Sequence, residues 1–383
     1  MTPCGPGGKI PGCGLTRRSG GGDRAYLRDV HPSGTTEGIA IHSALTGLGV
    51  TLPLLAAPMA GGGSTPELVT AAAEAGGLGF IPAGYKTPAA FAEQIARVRT
   101  AGVPFGVNLF APNPVPVDPG DYRRYAASLR PEADRYGVDV TGIAVTEDDD
   151  HWQDKIDLLL SDPVPLAGFT FGVPEAHIVK ALRGAGTVVA QTVTSAEEAR
   201  LAADAGVDVL VVQAYTAGGH SGTLTPERIP PATPLTQLLG EIAAAVRLPL
   251  IAAGGLATPE SVAVAVATGA VAACVGTVLL RSDESGASQP HRDALADPAR
   301  GQTLVTRAFT GRPARALPNV FTDRHSATAP AGYPALHHLT SPIRKAAVAA
   351  GDPELINLWA GTGHLHATAE PAAQIMTRLA QAL

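Results

Sequence analysis

Residues 204–222 read DAGVDVLVVQAYTAGGHSG. An alanine-rich helical pattern ends at Gly206, an apolar run follows, and the run stops at Gln213 in a loop where three glycines surround one histidine. Gly206 suits the first position past a helix, where the backbone often takes positive φ and glycine adopts it at least cost. An apolar run of this length without alternation fits a parallel strand covered on both faces.

The same unit recurs from residue 44 onward. Further helix–Gly–strand joints stand at EAGGLGF (Gly76, Gly77), TAGVPFGV (Gly102), GAGTVVA (Gly186) and ATGAVAACV (Gly269). Helix starts carry complementary signals at Ser64-Thr65-Pro66-Glu67 and Thr258-Pro259-Glu260. The pattern predicts strands at 52–59, 78–83, 104–109, 166–171, 187–192, 208–213, 249–253 and 272–280. Periodicity alone also fits a doubly wound sheet, because both folds repeat the same βα unit. Eight strands with intervening helices match an α/β TIM (β/α)8 barrel in number and spacing, and that is the fold expected. Residues 1–41, rich in Gly, Pro, Ser and Arg, read as a disordered leader. The barrel is expected over 42–280, with an insertion at about 111–165. Residues 281–383 read as a smaller appended helical or α+β segment that covers the barrel mouth, plus a C-terminal helix. The acidic run Glu147–Asp150 reads as a solvated loop.

Composition narrows the function classes. A net charge of -6 with no dense Lys/Arg stripe argues against nucleic acid. No apolar stretch reaches the roughly 20 residues of a membrane span. Three cysteines are too few for a disulfide framework. Cys4 and Cys13 lack a common zinc spacing, and Cys274 falls in a core strand. With no apolar signal core, a cytoplasmic protein is expected. His337-His338 and His364-x-His366 lack the spacing of a helical metal pair, so no metal site is expected.

A (β/α)8 barrel builds its site at the C-terminal ends of its strands. Here those ends read AAPMAGGG, VNLF, TFGVP, AQTV, VVQAYTAGGH, IAAGG and CVGTVLL. They are rich in amides, glycines and hydroxyls and poor in carboxylates and lysines. Such ends suit a large neutral heteroaromatic ligand bearing a phosphate. Gly254-Gly255 follows the seventh strand and Gly276-Thr277 lies in the eighth strand segment; the loops after these two strands commonly bind phosphate through backbone N–H groups. The Gly61-Gly62-Gly63 run fails the dinucleotide fingerprint, because Pro66 stands where the third glycine belongs and strand LGFIPAG ends without an acidic residue. Lys86, past the second strand, is the one strand-end lysine, which argues against a Schiff-base aldolase.

The ordered segments APMAGGGSTPELVTAAAEAGGLGF, FGVNLF, QAYTAGGHSG and PLIAAGGLATPESVAVAVATGAVAACVGT resemble the nitronate monooxygenase family, formerly the 2-nitropropane dioxygenases. The likeness spans about residues 44–365 and includes AGTGH at 360–364. It implies an FMN-dependent barrel with a smaller second domain that oxidises alkyl nitronates with O2 to carbonyl compounds and nitrite. It implies further that Ala57, Pro58 and Met59 run along the flavin ring and that Asn108 and Gln213 hydrogen-bond the ring or ribityl chain. Gly218, Gly255, Gly276 and Thr277 would meet the phosphate end or ribityl, with Gly219, Gly254, Cys274 and Val275 completing the cofactor set. His220 falls on the family's catalytic histidine, which could take the α-proton of a nitroalkane or, protonated, hold a nitronate. The chain departs from the family at Ala214 (usually Gly), Thr216 (usually Glu) and Cys274 (often Gln). Two other functions fit the same residues: an FMN-dependent enoyl-acyl-carrier reductase using NAD(P)H, and an inactive flavin-binding barrel.

Overall fold

The computed structural model describes Leu45 and residues 47–383. The expected leader 1–41, with Cys4 and Cys13, lies outside the described residues. Eight parallel strands close into a barrel: β1 (Leu54–Ala56), β2 (Leu78–Pro82), β3 (Phe105–Phe110), β4 (Leu166–Thr170), β5 (Val188–Val193), β6 (Val209–Gln213), β8 (Leu250–Ala253) and β9 (Ala272–Val275). β9 pairs back onto β1 through Leu55 and Cys274, which closes the ring. The α/β TIM barrel expectation holds, and each expected strand is found. The eighth ends earlier than expected, because the backbone leaves the β region at Gly276 (φ -124°, ψ -71°) and enters a 3₁₀ turn over Thr277–Leu279.

Leu55, Leu78, Phe80, Leu166, Val209, Ile251 and Cys274 share one cluster of buried side chains within the barrel strands. A larger layer joins the strands to the surrounding helices, including Leu68, Phe91, Leu182 and Ile242. Gly206 has φ +89° and ends helix Ala196–Ala205, as its sequence position requires. Helix Ala372–Leu379 belongs to this outer layer: it packs Ala372, Ile375, Met376 and Leu379 on the barrel.

A second core is built from two stretches far apart in sequence. Tyr122, Tyr125 and Leu129, from the region of helix Pro119–Ser128, pack with Phe309, Phe321, Leu336 and Ile343. The Tyr125 hydroxyl donates to the Ala308 carbonyl at 2.5 Å. Glu132, almost fully buried, meets Arg324 at 2.8 Å. The stretch expected as an insertion and the stretch expected as an appended segment are thus packed together.

The two cores are joined by a small antiparallel sheet. Gly219–His220 forms β7, which pairs with β11 (Ala314–Ala316), and β11 pairs with β10 (Leu304–Thr306). Glu147, Asp148 and Asp149 are exposed in a loop, as their charge predicts, whereas Asp150 is half-buried. Asp150 takes the Lys155 ammonium at 2.8 Å and the Tyr85 amide at 3.0 Å, and Asp148 meets His338 at 2.7 Å. A charge run shows no sign in sequence of the buried cation that waits for it. Lys155 is itself 1% exposed.

The second core should be necessary for stability. Phe321 is fully buried and stacks on Phe309 at 4.6 Å. Phe321→Ala is expected to cost about 3–5 kcal/mol, read as a lower urea midpoint of unfolding.

Candidate active site

A cavity of about 1260 Å³ opens at the C-terminal ends of the barrel strands. Every residue proposed from sequence lines it: Ala57, Pro58, Met59, Asn108, Gln213, Gly218, Gly219, His220, Gly254, Gly255, Cys274, Val275, Gly276 and Thr277. Helix Ala335–Ala349 contributes His337, Ser341 and Arg344 to another wall, so part of the second core faces the strand ends.

The loop after β6 is held by its own glutamine. Gln213 Oε1 accepts from the Gly222 amide at 2.7 Å, and Nε2 donates to the His220 carbonyl at 3.1 Å. This ties down the backbone on either side of Ser221, at the end of β7, while β11 pairs with β7 itself. The resemblance gives Gln213 to the cofactor; here both ends of its amide are used on the loop, leaving one N–H. Asn108 is buried, and its Oδ1 accepts from Thr170 Oγ1 at 3.2 Å.

Glycine is required where the loops meet. A Cβ at Gly218 would lie 2.4 Å from the Gly361 nitrogen and 2.9 Å from Thr277 Oγ1. Gly361 N–H in turn donates to Thr277 Oγ1 at 3.0 Å. Gly255 has φ +73°, and a Cβ there would stand 3.0 Å from Thr216 Oγ1. Thr216 therefore supports the glycine loop after β8 at the position where the family usually has glutamate.

His220 is half-buried in the cavity wall, with Nε2 2.9 Å from the buried Thr310 hydroxyl. Its ring meets Trp359 at 5.2 Å, Phe171 at 5.7 Å and Tyr333 at 6.1 Å between centroids. Burial, with the Arg312 and Arg344 cations nearby, pushes its pKa down from 6.5 to about 3. The imidazole is therefore neutral near pH 7. Arg312 is fully buried and places its guanidinium 4.0 Å over the Phe171 ring, while its Nη2 donates to the Thr223 carbonyl. Burial holds the pKa of His291 down to about 4, and its Nε2–H donates to the Trp359 carbonyl at 3.0 Å.

Backbone strain is concentrated in the same place. Among the described residues, the four non-glycine residues with positive φ are Tyr85, Asp150, His151 and Phe171, and all of them line the cavity. Such conformations cost on the order of 1–3 kcal/mol each and cluster at functional sites. Sequence reasoning missed Tyr85, Phe171, Thr310, Arg312, Tyr333 and Trp359. The two arginines in Gly311-Arg312-Pro313-Ala314-Arg315, set among apolar residues, were the available signal for that turn. Single aromatics carry no such pattern.

Comparison with known proteins matches residues 42–382 to the family model described as nitronate monooxygenase. The chain belongs to the nitronate monooxygenase family. It is an oxidoreductase of that type. A probable nitronate monooxygenase of Staphylococcus aureus strain Newman is 35% identical over 337 residues, covering 87% of this chain and 94% of that protein. The structure of nitroalkane oxidase from Streptomyces ansochromogenes matches with a TM-score of 0.82 at 46% identity, over 88% of this chain and 97% of that one. FabK from Thermotoga maritima matches at 27% identity with a TM-score of 0.68, over 88% of this chain and 94% of that one. Among the described residues of this nitronate monooxygenase family member, no helix is long and apolar enough to cross a membrane.

The low pKa of His220 has a consequence for stability. Between about pH 3 and 6.5 the unfolded chain binds a proton that native His220 does not. The stability contribution is complete above 6.5 and is lost as the pH falls toward 3. His220→Asn should flatten the dependence of the urea midpoint on pH across that window; an unchanged slope would place the titration elsewhere.

Proposed function

We propose that this protein is an FMN-dependent nitronate monooxygenase that converts alkyl nitronates and O2 to a carbonyl compound and nitrite, with His220 as acid–base group. The observation that carries the reading is a neutral histidine held in the wall of a large strand-end cavity beside a glycine cradle. The residues present fit FMN. Gly218, Gly254 and Gly255 bring their loops closer together than a Cβ would allow, so this wall presents backbone, whose N–H groups are what a phosphate would need. Thr277 Oγ1, which accepts from Gly361, keeps its own hydrogen to donate. Ala57, Pro58 and Met59 would run along the ring, with Asn108, Gln213 and Gly219 about the ring and ribityl. Cys274 and Val275 would close the floor. When bound, FMN would supply the redox chemistry, and the protein supplies position and electrostatics.

The protein's own part is proton handling. With Thr310 accepting from Nε2–H, Nδ1 of His220 carries the lone pair that removes the α-proton of a neutral nitroalkane. At pH 7 the neutral imidazole has the lone pair a base needs and lacks the charge to hold the nitronate. Its lowered pKa makes it a weak proton acceptor, so proton removal relies on Arg312 and Arg344 stabilising the nitronate as it forms. Gln213 and Thr310 fix its orientation from two sides. Composition supports a cytoplasmic location.

Purified protein should be yellow and release FMN. Anaerobic mixing with propyl-2-nitronate should bleach the flavin absorbance, and NADH should not. Bleaching by NADH alone would instead favour the enoyl-acyl-carrier reductase reading, and colourless protein an inactive barrel. His220→Asn should keep the flavin and lower turnover of neutral nitroalkanes by roughly 10²–10⁴-fold, while preformed nitronates suffer less. Gly255→Asp should yield apoprotein by repelling the phosphate, and full flavin occupancy would remove that assignment.

A further inference from the structure

Aromatic side chains are scarce in this chain, at 4% of residues. Of its 8 Phe, 7 Tyr and 2 Trp, five line the one cavity, which is more than a short alkyl group requires. Three of these rings form a continuous path that starts at His220. Phe171 meets His220 at 5.7 Å, Phe110 meets Phe171 at 4.5 Å, and Tyr85 meets Phe110 at 5.4 Å. The path ends where Tyr85 stacks on His337 at 4.1 Å with an interplanar angle of 1°.

The wall is rigid before anything binds. Phe171 is 2% exposed, has φ +83°, and carries the buried Arg312 guanidinium 4.0 Å over its ring, so it serves as backing for its neighbours. Tyr85 has φ +65°, with its amide tied to Asp150 and one ring face covered by His337. It nonetheless remains 37% exposed, and Phe110 is half-buried beside it. The accessible ring surface along the path is therefore that of Phe110 and Tyr85. The cavity, at about 1260 Å³, also exceeds the roughly 300–1,000 Å³ of an ordinary ligand site, which leaves room for a cofactor and a sizeable second molecule.

We propose that this site takes nitronates carrying an aryl or other flat conjugated substituent, the nitronate carbon at His220 and the π-face along Phe110 and Tyr85. The proposal rests on the nitronate monooxygenase reading of the site. Planar rings gain from offset or edge-to-face contact with fixed aromatic walls, whereas a saturated ring of similar size gains only burial. Phe110 and Tyr85 are then specificity-determining residues, and preorganisation spares the substrate the cost of ordering them.

The test compares kcat/KM of the flavin-loaded enzyme for three preformed nitronates: those of phenylnitromethane, cyclohexylnitromethane and nitroethane. The expected result is a preference for the phenyl over the cyclohexyl compound of roughly two- to tenfold for each ring engaged. Phe110→Leu and Tyr85→Leu should each lower that ratio while flavin content stays at the wild-type level. Turnover of nitroethane nitronate with a phenyl-to-cyclohexyl ratio at or below one overturns the aryl proposal alone. Flavin loss in both wall variants also overturns it, because the wall would then belong to the cofactor. No turnover of any of the three would overturn the nitronate reading itself.

Discussion

The position of His220 depends on a two-residue strand. β7 is too short to be stable by itself, and it exists because β11 pairs with it from the second core, opposing His220 to Ala314 and Gly219 to Arg315. From the barrel side, the Gln213 amide bonds the backbone before and after Ser221. The histidine is therefore fixed by contacts from both cores at once, and neither could place it alone. The glycines of the loop serve this arrangement. Gly219 takes φ +72° at the pairing, and Gly218 lets the Gly361 backbone approach to a distance no side chain would permit.

Charge is arranged around the same point. Burial keeps the imidazole neutral, and the Arg312 and Arg344 cations nearby add to that effect. In the acidic run at the cavity edge, Asp150 is held by Lys155 and the Tyr85 amide, and Asp148 by His338. A neutral imidazole among fixed cations suits an anion that forms beside it, because the cations are in place before the charge appears.

The barrel was legible because its signals are local. A helix-ending glycine, an apolar run and a proline or hydroxyl helix start each lie within a few residues, and they recur with every strand. The strand-end rule then gathered residues from five strands and their following loops onto one cavity wall, although the chain separates Ala57 from Thr277 by most of the barrel. What stayed hidden depends on distant pairings. Nothing near Tyr122 or Tyr125 announces Phe309 or Phe321 as partners, so the sequence does not show that the two stretches share a core. Gln213 was expected at the site and lines the cavity, but its bonds to Gly222 and His220 depend on where the loop turns back. Thr310 and Tyr333 sit beside His220 across about 90 and 110 residues of chain, where no periodicity can indicate them.

The divided second core also orders events during synthesis. The last barrel strand ends at Val275, yet the partner strand of His220 comes only at Ala314–Ala316, and helix Ala372–Leu379 covers the first barrel helix last of all. While the chain is still being made, Tyr122, Tyr125 and Leu129 lie beside a finished set of barrel strands without Phe309, Phe321, Leu336 and Ile343, which complete their core. Those faces are the part of this protein that a chaperone, or another nascent copy, meets first. The cavity gains its roof only when the C-terminal fifth of the chain has left the ribosome.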